Sequence, residues 1–285
     1  MSSVAVAATP QRSALARTLG FVRHHVLTVY SLLFFAYLLL PIAIVVVFSF
    51  NHPTGKFNFT WQGFTWDNWH YWDGVPGIRS AIVLSLEIAL LASLIATALG
   101  TMIALALVRY GFRGRATTNI LIFLPLSTPE IVLGASLLTL FLNLNATWLP
   151  FGFRTILIAH IMFCISFAVV TVKARLVGFD RHLEEAAMDL GANEWMTFQK
   201  VTLPLIAPAI LAALLLCFAI SIDDFVVTYF NSGSSVTFPL FVWGAARIGA
   251  PPQVNVIGTA IFVVAVTLML ANVVLQRVRE SKGAV

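Results

Sequence analysis

Four acidic residues stand within, or at the end of, strongly apolar stretches of this chain. Glu87 and Glu130 lie inside such stretches, and Asp223 and Asp224 lie near the end of another. An ionised carboxylate surrounded by hydrocarbon costs at least about 2.5–3.5 kcal/mol, so such acids usually face a water-filled cavity or a partner. Basic residues stand only at the ends of these stretches, not inside them. The four acids therefore predict a path for a cation.

Aromatic rings could complete a cation site beside these acids. Tyr229 and Trp243 are the nearest aromatic candidates for such a site. An extended polycation would be held by ion pairs and by cation–π contacts, each modest unless desolvated. A second interpretation stays open, in which Glu87 bonds to a neighbouring helix and Asp223 and Asp224 cap or solvate a helix end.

A different kind of chemistry is indicated by the segment from about 178 to 204. Its apolar positions follow the i, i+3, i+4, i+7 spacing of a helical stripe, and they are Leu183, Ala186, Ala187 and Leu190. The acids predicted on the opposite side are Glu184, Glu185 and Asp189. Asp180 can cap the start of this helix and Gly191 can end it. The pattern predicts a short amphipathic helix, either a plain surface helix or one whose small alanines allow close approach by a partner.

One motif in this segment resembles a known family. Glu185-Ala186-Ala187, then Gly191, then Leu203-Pro204 resembles the EAA loop of binding-protein-dependent ABC importer permeases, with Val201 where that family often has isoleucine. In that family the loop forms a coupling helix that sits in a cleft of the ATPase subunit. The resemblance therefore implies that Glu185, Ala186, Ala187, Leu190 and Gly191 couple the chain to an ATPase.

The resemblance extends over essentially the whole chain. Residues 221–227, 238–240 and 252–255 look like the spermidine/putrescine branch of these permeases. This implies a type I ABC importer permease fold and a small cationic substrate. The implied partners are an ATPase dimer that uses ATP and Mg, a second permease and an extracytoplasmic substrate-binding protein. The sequence has no Walker-type phosphate loop, so we expect a non-catalytic subunit that binds no cofactor itself.

The elements that must position these residues are predicted to lie in a bilayer. The chain is 59% hydrophobic and 10% charged, and a bilayer crossing needs about 20 apolar residues. Six stretches qualify, at roughly 28–50, 80–108, 119–142, 154–172, 205–226 and 255–275. They predict an all-α integral membrane protein with six transmembrane helices. We place the membrane domain at 26–276, between tails at 1–25 and 277–285.

The distribution of Lys and Arg predicts the orientation. Thirteen of the 17 basic residues fall before helix 1, after helix 2, between helices 4 and 5, or after helix 6. Positive charge in short loops stays cytoplasmic, so both termini are expected in the cytoplasm of a cell-membrane protein. Because topology explains the positive charge, nucleic-acid binding is not expected.

Two loops and one broken helix are also predicted. Pro125 and Pro129 each remove a backbone donor, so helix 3 should bend or break near the middle of the membrane. The outer loop 51–79 is rich in Trp and Tyr, which favours a membrane-interface anchor or a role in holding substrate. The outer loop 231–254 contains the apolar run Phe238–Trp243 and is interpreted as a small lid or docking element.

Other functional classes are less favoured by the sequence. A secondary transporter would typically show an internal repeat and more helices. A membrane enzyme would need a catalytic constellation, and the six His residues show no metal-binding spacing. Cys164 and Cys217 fall inside apolar stretches and are interpreted as core residues. An ABC permease for another small solute remains the main alternative.

Overall fold

The chain is built from helices, as predicted. A computed structural model describes residues 14–144 and 148–283, and in these residues the β-structure is one isolated bridge between Asn51 and Phe64. The longer helices are α1 (Ala14–Phe48), α3 (Ile78–Arg109), α4 (Arg115–Ser127), α5 (Glu130–Leu144), α6 (Phe153–Val177), α9 (Leu203–Asp223), α11 (Phe238–Ile248) and α12 (Pro252–Gly283). The shorter ones are α2 (Asp67–His70), α7 (His182–Asp189), α8 (Glu194–Thr197) and α10 (Val226–Asn231), with a π-helical turn at Phe198–Thr202.

Four helices in the described residues are long and apolar enough to cross a bilayer. They are His25–Phe48 within α1, then α3, α6 and the continuous segment Glu194–Asp223. A fifth crossing is obtained if α4 and α5 together form one broken span. In α12 the segment Pro252–Thr267 is apolar. Several later side chains of the predicted stretch 255–275 lie outside the part of the chain that the structure describes. Of the six predicted spans, four are thus supported, or five if the broken pair α4 and α5 counts as one span.

The proline-rich break in the third predicted span is confirmed. α4 ends at Ser127, α5 begins at Glu130, and the two helices meet at a bend of 110°. Pro129 has no N–H to continue the helix. The Thr128 N–H donates to the Leu124 carbonyl at 3.0 Å, and the Pro129 carbonyl accepts from the first turn of α5 at 2.9 and 3.1 Å. Backbone groups beside the break therefore have partners despite the lost helical bond.

The long terminal helices extend into the predicted tails. α1 begins at Ala14, so residues 14–25 of the predicted N-terminal tail are helical, and residues 1–13 lie outside the described residues. α12 continues to Gly283, so 277–283 are helical and 284–285 lie outside the described residues. The cytoplasmic location of both tails stays a prediction.

One compact unit comprises Met1–Trp72 with Gly249–Val285. In its described part α1 packs along α12, and the loop after α1 is held by hydrogen bonds of buried amide side chains. The Asn51 side chain donates to the Asn58 side chain at 2.6 Å and to the Thr60 carbonyl at 2.7 Å. Asn68 donates to the carbonyl of Asn51 at 2.7 Å. The predicted aromatic loop is therefore an ordered structure, in which Phe50 stacks on Trp69 with ring centroids 5.5 Å apart.

The second unit, Asp73–Ile248, holds the larger core. α3, α6 and α9 pack on one another there through small residues, which let membrane helices approach closely. The buried small residues of α3 include Ala89, Ala92, Ser93, Ala96, Gly100 and Ala104. Cys164 of α6 and Cys217 of α9 are free and buried in this core, and each thiol contacts the other's carbonyl. Their interpretation as core residues is confirmed.

The closest of these contacts lies where α3 crosses α6. A Cβ built on Gly100 would stand 2.5 Å from the Ala168 Cβ and 3.1 Å from the Val169 backbone nitrogen. We expect Gly100→Ala to lower the free energy of unfolding by about 1–3 kcal/mol, because α6 must shift to admit the methyl group. Gly244→Ala is the control, since nothing lies within 4 Å of the added atom and alanine favours the helix. Thermal unfolding in detergent measures both, and a Gly100→Ala variant as stable as Gly244→Ala contradicts this packing.

Candidate functional site

The segment between α6 and α9 forms two short helices joined by a turn. The backbone N–H of His182, the first residue of α7, donates to the Asp180 carboxylate at 3.0 Å. After α7, Gly191 has a φ of 90°, a left-handed conformation that residues with a Cβ rarely adopt. Asn193 then caps α8 by accepting the Met196 N–H at 2.8 Å. The predicted helix, its acidic start and its glycine end are confirmed.

Most of the apolar stripe of α7 is exposed, and Ala187 is half-buried. We call Leu183, Ala186, Ala187 and Leu190 the docking face. Leu190 is 90% exposed and Leu183 is 49% exposed, and no residue of α7 is buried against the rest of the described chain. Contiguous apolar surface of this kind typically marks an interface. Glu185 also points outward, where its carboxylate lies 3.1 Å from the His182 ring in an exposed pair.

One acid of α7 has partners within the chain. Glu184 was predicted on the side of the helix away from the apolar stripe, with Glu185 and Asp189, and it makes contacts there that no local pattern predicts. Its Oε1 accepts from Arg109 Nη2 at 2.7 Å and from the Thr202 hydroxyl at 2.5 Å. The carboxylate turns toward α3 because it pairs with Arg109, the last residue of that helix.

The two adjacent acids at the end of α9, Asp223 and Asp224, occupy different environments. α9 ends at Asp223, which is exposed, and α10 begins at Val226. The Asp224 side chain is only 7% exposed. Its Oδ2 accepts both the N–H and the hydroxyl of Thr228 at 2.8 Å, and its Oδ1 accepts the Val227 N–H at 3.4 Å. Asp224 therefore caps α10, as the second interpretation of these acids allowed.

A buried histidine completes this polar cluster. His160 of α6 has its Nδ1 2.7 Å from the Ser221 hydroxyl and its Nε2 2.9 Å from the Thr228 hydroxyl. Its Nε2 also lies 3.4 Å from Asp224 Oδ2. Because the Thr228 hydroxyl donates to Asp224, its oxygen is left to accept from His160 Nε2–H. The cluster thus joins α6 to the break between α9 and α10.

The other predicted path residues lie at the surface of the second unit. Glu130 begins α5 directly after the proline break, and Glu87 lies on α3; both are exposed. Tyr229 and Trp243 line an open cavity of about 490 Å³. The Phe225 ring connects them, with centroids 5.7 and 5.2 Å away. The structure therefore brings the two aromatic residues together, but the residues lining this cavity include none of the four acids, all of which are described.

An internal cation already contacts one of these rings. The Arg247 guanidinium lies 4.5 Å from the centroid of Trp243, a cation–π arrangement. A cationic ligand that used the same face of the ring would have to replace Arg247.

Sequence reasoning missed His160, Arg109 and Thr202. A histidine inside an apolar stretch was a usable signal, because polar side chains in spans pair with one another. Arg109 was counted only for orientation. Its contact with Glu184 joins residues 75 positions apart, which no local pattern indicates.

The class of this protein follows from its sequence match and its fold. Residues 96–280 match the family described as binding-protein-dependent transport system inner membrane component. The chain belongs to this family of membrane transport components. Among solved structures, a bacterial ABC transporter that imports the acidic polysaccharide alginate has a TM-score of 0.62 at 19% identity, over 94% of this chain and 99% of that chain. An amino acid ABC transporter has a TM-score of 0.54 at 17% identity, over 74% and 96%.

Individual relatives lie within one branch of that family. The spermidine/putrescine transport system permease protein PotC of Escherichia coli (strain K12) is 38% identical over 250 residues, which are 87% of this chain and 92% of PotC. The putrescine transport system permease protein PotI of the same strain is 40% identical over 237 residues, 81% of this chain and 83% of PotI. The predicted resemblance to ABC importer permeases is confirmed.

The contrast between the two aspartates can be tested by matched substitutions. We expect Asp224→Asn to lower the free energy of unfolding by about 1–3 kcal/mol, because a buried acceptor of three hydrogen bonds is changed. Asp223→Asn should change it by less than about 0.5 kcal/mol, since the side chain is exposed. Thermal unfolding of the two purified variants compares them directly. Equal stability of both variants would contradict the capping role of Asp224.

Proposed function

We propose that this chain is a permease subunit of an ATP-driven importer for polyamines. The observation that carries the proposal is the 38–40% identity, over most of both chains, to permeases named for spermidine and putrescine transport. The exposed acids of the second unit support it, because extended polycations are recognised by carboxylates and aromatic faces. A permease for another small solute is the alternative that the uptake experiment below distinguishes.

In this proposal six spans cross the cell membrane. They are α1, α3, the broken pair α4 and α5, α6, the segment Glu194–Asp223, and α12. An even number of crossings places both termini on one side, and the Lys and Arg distribution places that side in the cytoplasm. α7 and the docking face then lie in the cytoplasm, where a soluble ATPase subunit can reach them.

The proposed partners follow from the transport cycle of such importers. An ATPase dimer binds ATP and Mg and engages the docking face together with Glu185 and Gly191. This chain binds no nucleotide or other cofactor. A second permease completes the translocation path, and an extracytoplasmic binding protein delivers the substrate. ATP-driven closure of the ATPases moves α7 and switches the bundle between inward-facing and outward-facing states.

The proposed substrate path uses Asp223, Glu130 and Glu87 as exposed carboxylates. Tyr229 and Trp243 offer ring faces for ammonium groups at the cavity. Asp224 contributes by capping α10 at the break after α9, because its carboxylate already accepts hydrogen bonds from Thr228. Asp223 is therefore the outer acid that we expect to meet the substrate.

The coupling role of the docking face predicts the effect of a charge placed on it. Ala187→Asp should weaken association with the ATPase by about 2 kcal/mol or more, roughly thirtyfold, because an unpaired carboxylate is buried in the interface. Copurification of the ATPase and ATP-driven uptake should fall together, while the amount of chain in the membrane is unchanged. Ala116→Asp is the control, as Ala116 is an exposed alanine of α4 outside the docking face. Normal copurification with Ala187→Asp would count against the docking face.

The substrate is tested by uptake of labelled putrescine and spermidine in cells that lack this gene. Wild-type protein should restore uptake, and Asp223→Asn should restore roughly ten- to a hundredfold less, since a lost interaction with a charged group costs about 1.5–3 kcal/mol. Asp73→Asn, at an exposed acid outside the proposed path, should match wild type. If neither polyamine depends on the gene while another solute does, the alternative substrate is established instead.

A further inference from the structure

The coupling helix α7 is attached to its own chain mainly by polar contacts. None of its residues is buried in the described chain, and three residues of the docking face, Leu183, Ala186 and Leu190, are exposed. Apolar packing, which fixes most amphipathic helices, therefore does not fix this one. Some other interaction must hold α7 in register with the membrane helices.

That interaction centres on Glu184. The carboxylate oxygen Oε1 binds both Arg109, the last residue of α3, and Thr202, the last residue before α9. The side chains of Arg109 and Glu184 are each 16% exposed. One oxygen of α7 is thus bonded to the ends of two helices that pack together in the core of the second unit.

The arginine is itself held in place. Its guanidinium lies 5.1 Å from the centroid of the Phe179 ring, in the chain that leads into α7. Beside it, Arg181 Nη2 donates to the Val108 carbonyl at 2.9 Å, which occupies a carbonyl at the end of α3. A charge-assisted hydrogen bond in such a shielded position is stronger and more directional than one in water. The α3 terminus and the start of α7 are therefore joined as one polar unit.

We propose that Glu184, with Arg109 and Thr202, is the positioning element that transmits movement of α7 to α3 and α9. This inference rests on the proposed function, in which an ATPase moves α7. A displacement of α7 pulls on both helix ends through one carboxylate, so the two membrane helices move with it. Without the link, α7 would still dock on the ATPase through its outward face, but ATP hydrolysis would no longer be converted into transport.

The test uses the complete transporter, with its ATPase, second permease and binding protein, reconstituted in liposomes. Putrescine uptake and ATP hydrolysis are measured together, and their ratio is the readout. Glu184→Gln and Arg109→Gln should each lower uptake per ATP by about tenfold, while ATPase association is retained. Asp189→Asn and Arg113→Gln are the matched controls, because they make the same charge changes at exposed positions nearby.

Charge exchange separates a specific link from a general loss of structure. Arg109→Glu and Glu184→Arg should each uncouple transport, and the double variant should recover at least about half of the wild-type ratio. Recovery supports the inference, because a merely destabilised loop is not repaired by a second substitution. A double variant as uncoupled as the single ones, or single variants that match Asp189→Asn, overturns it.

Failure of the wider proposal gives a different result. A wild-type transporter without ATP-driven putrescine uptake overturns the proposed function, and this inference with it. A wild-type transporter that works, with unchanged ratios in all variants, overturns this inference alone.

Discussion

Polar groups surrounded by hydrocarbon have no water to bind, so each must find its partner within the protein. This constraint explains the two places where the membrane helices are interrupted. At the first, carbonyls of Leu124 and Pro129 accept the N–H groups beside the proline break. At the second, the carboxylate of Asp224 accepts the donors that open α10, and His160 completes the cluster from α6. Both interruptions are therefore stabilised by hydrogen bonds. Beside them, the acids Glu130 and Asp223 lie at the surface.

α3 connects the two functional regions of the second unit. Toward one end, Ser85 accepts the backbone N–H of Phe238 at the start of α11. At the other end, Arg109 binds Glu184 of α7. At about 1.5 Å per residue these points are roughly 36 Å apart. In the proposed function, the close packing of α3 against α6 and α9 would let a shift of α7 reach the cavity beside α11 without local unfolding.

In the proposed function, the fold and the substrate are decided by different parts of the molecule. A transporter involved in the import of alginate, an acidic polysaccharide, shares this fold at 19% identity, so for a polyamine permease the helix arrangement alone would not select the charge of the cargo. In this chain, exposed acids stand where the membrane helices are broken or begin. In the proposed function, cargo selection by such side chains is compatible with a shared mechanism, because coupling to the ATPase would use α7 at the opposite ends of these helices.

The helices, the proline break and the amphipathic coupling segment were predictable because they depend on local composition and periodicity. The docking face was also predictable, since the spacing of Leu183, Ala186, Ala187 and Leu190 places these residues on one side of any helix. The burial of each acid was not predictable in this way. Asp223 and Asp224 are adjacent and chemically alike, yet the helix ends between them, and the break leaves Asp223 exposed while the Asp224 side chain is buried at the start of α10. Glu184 likewise turns inward because it pairs with Arg109, which lies 75 residues earlier at the end of α3. Such pairings depend on how helices distant in the sequence pack together, and only the tertiary structure decides them.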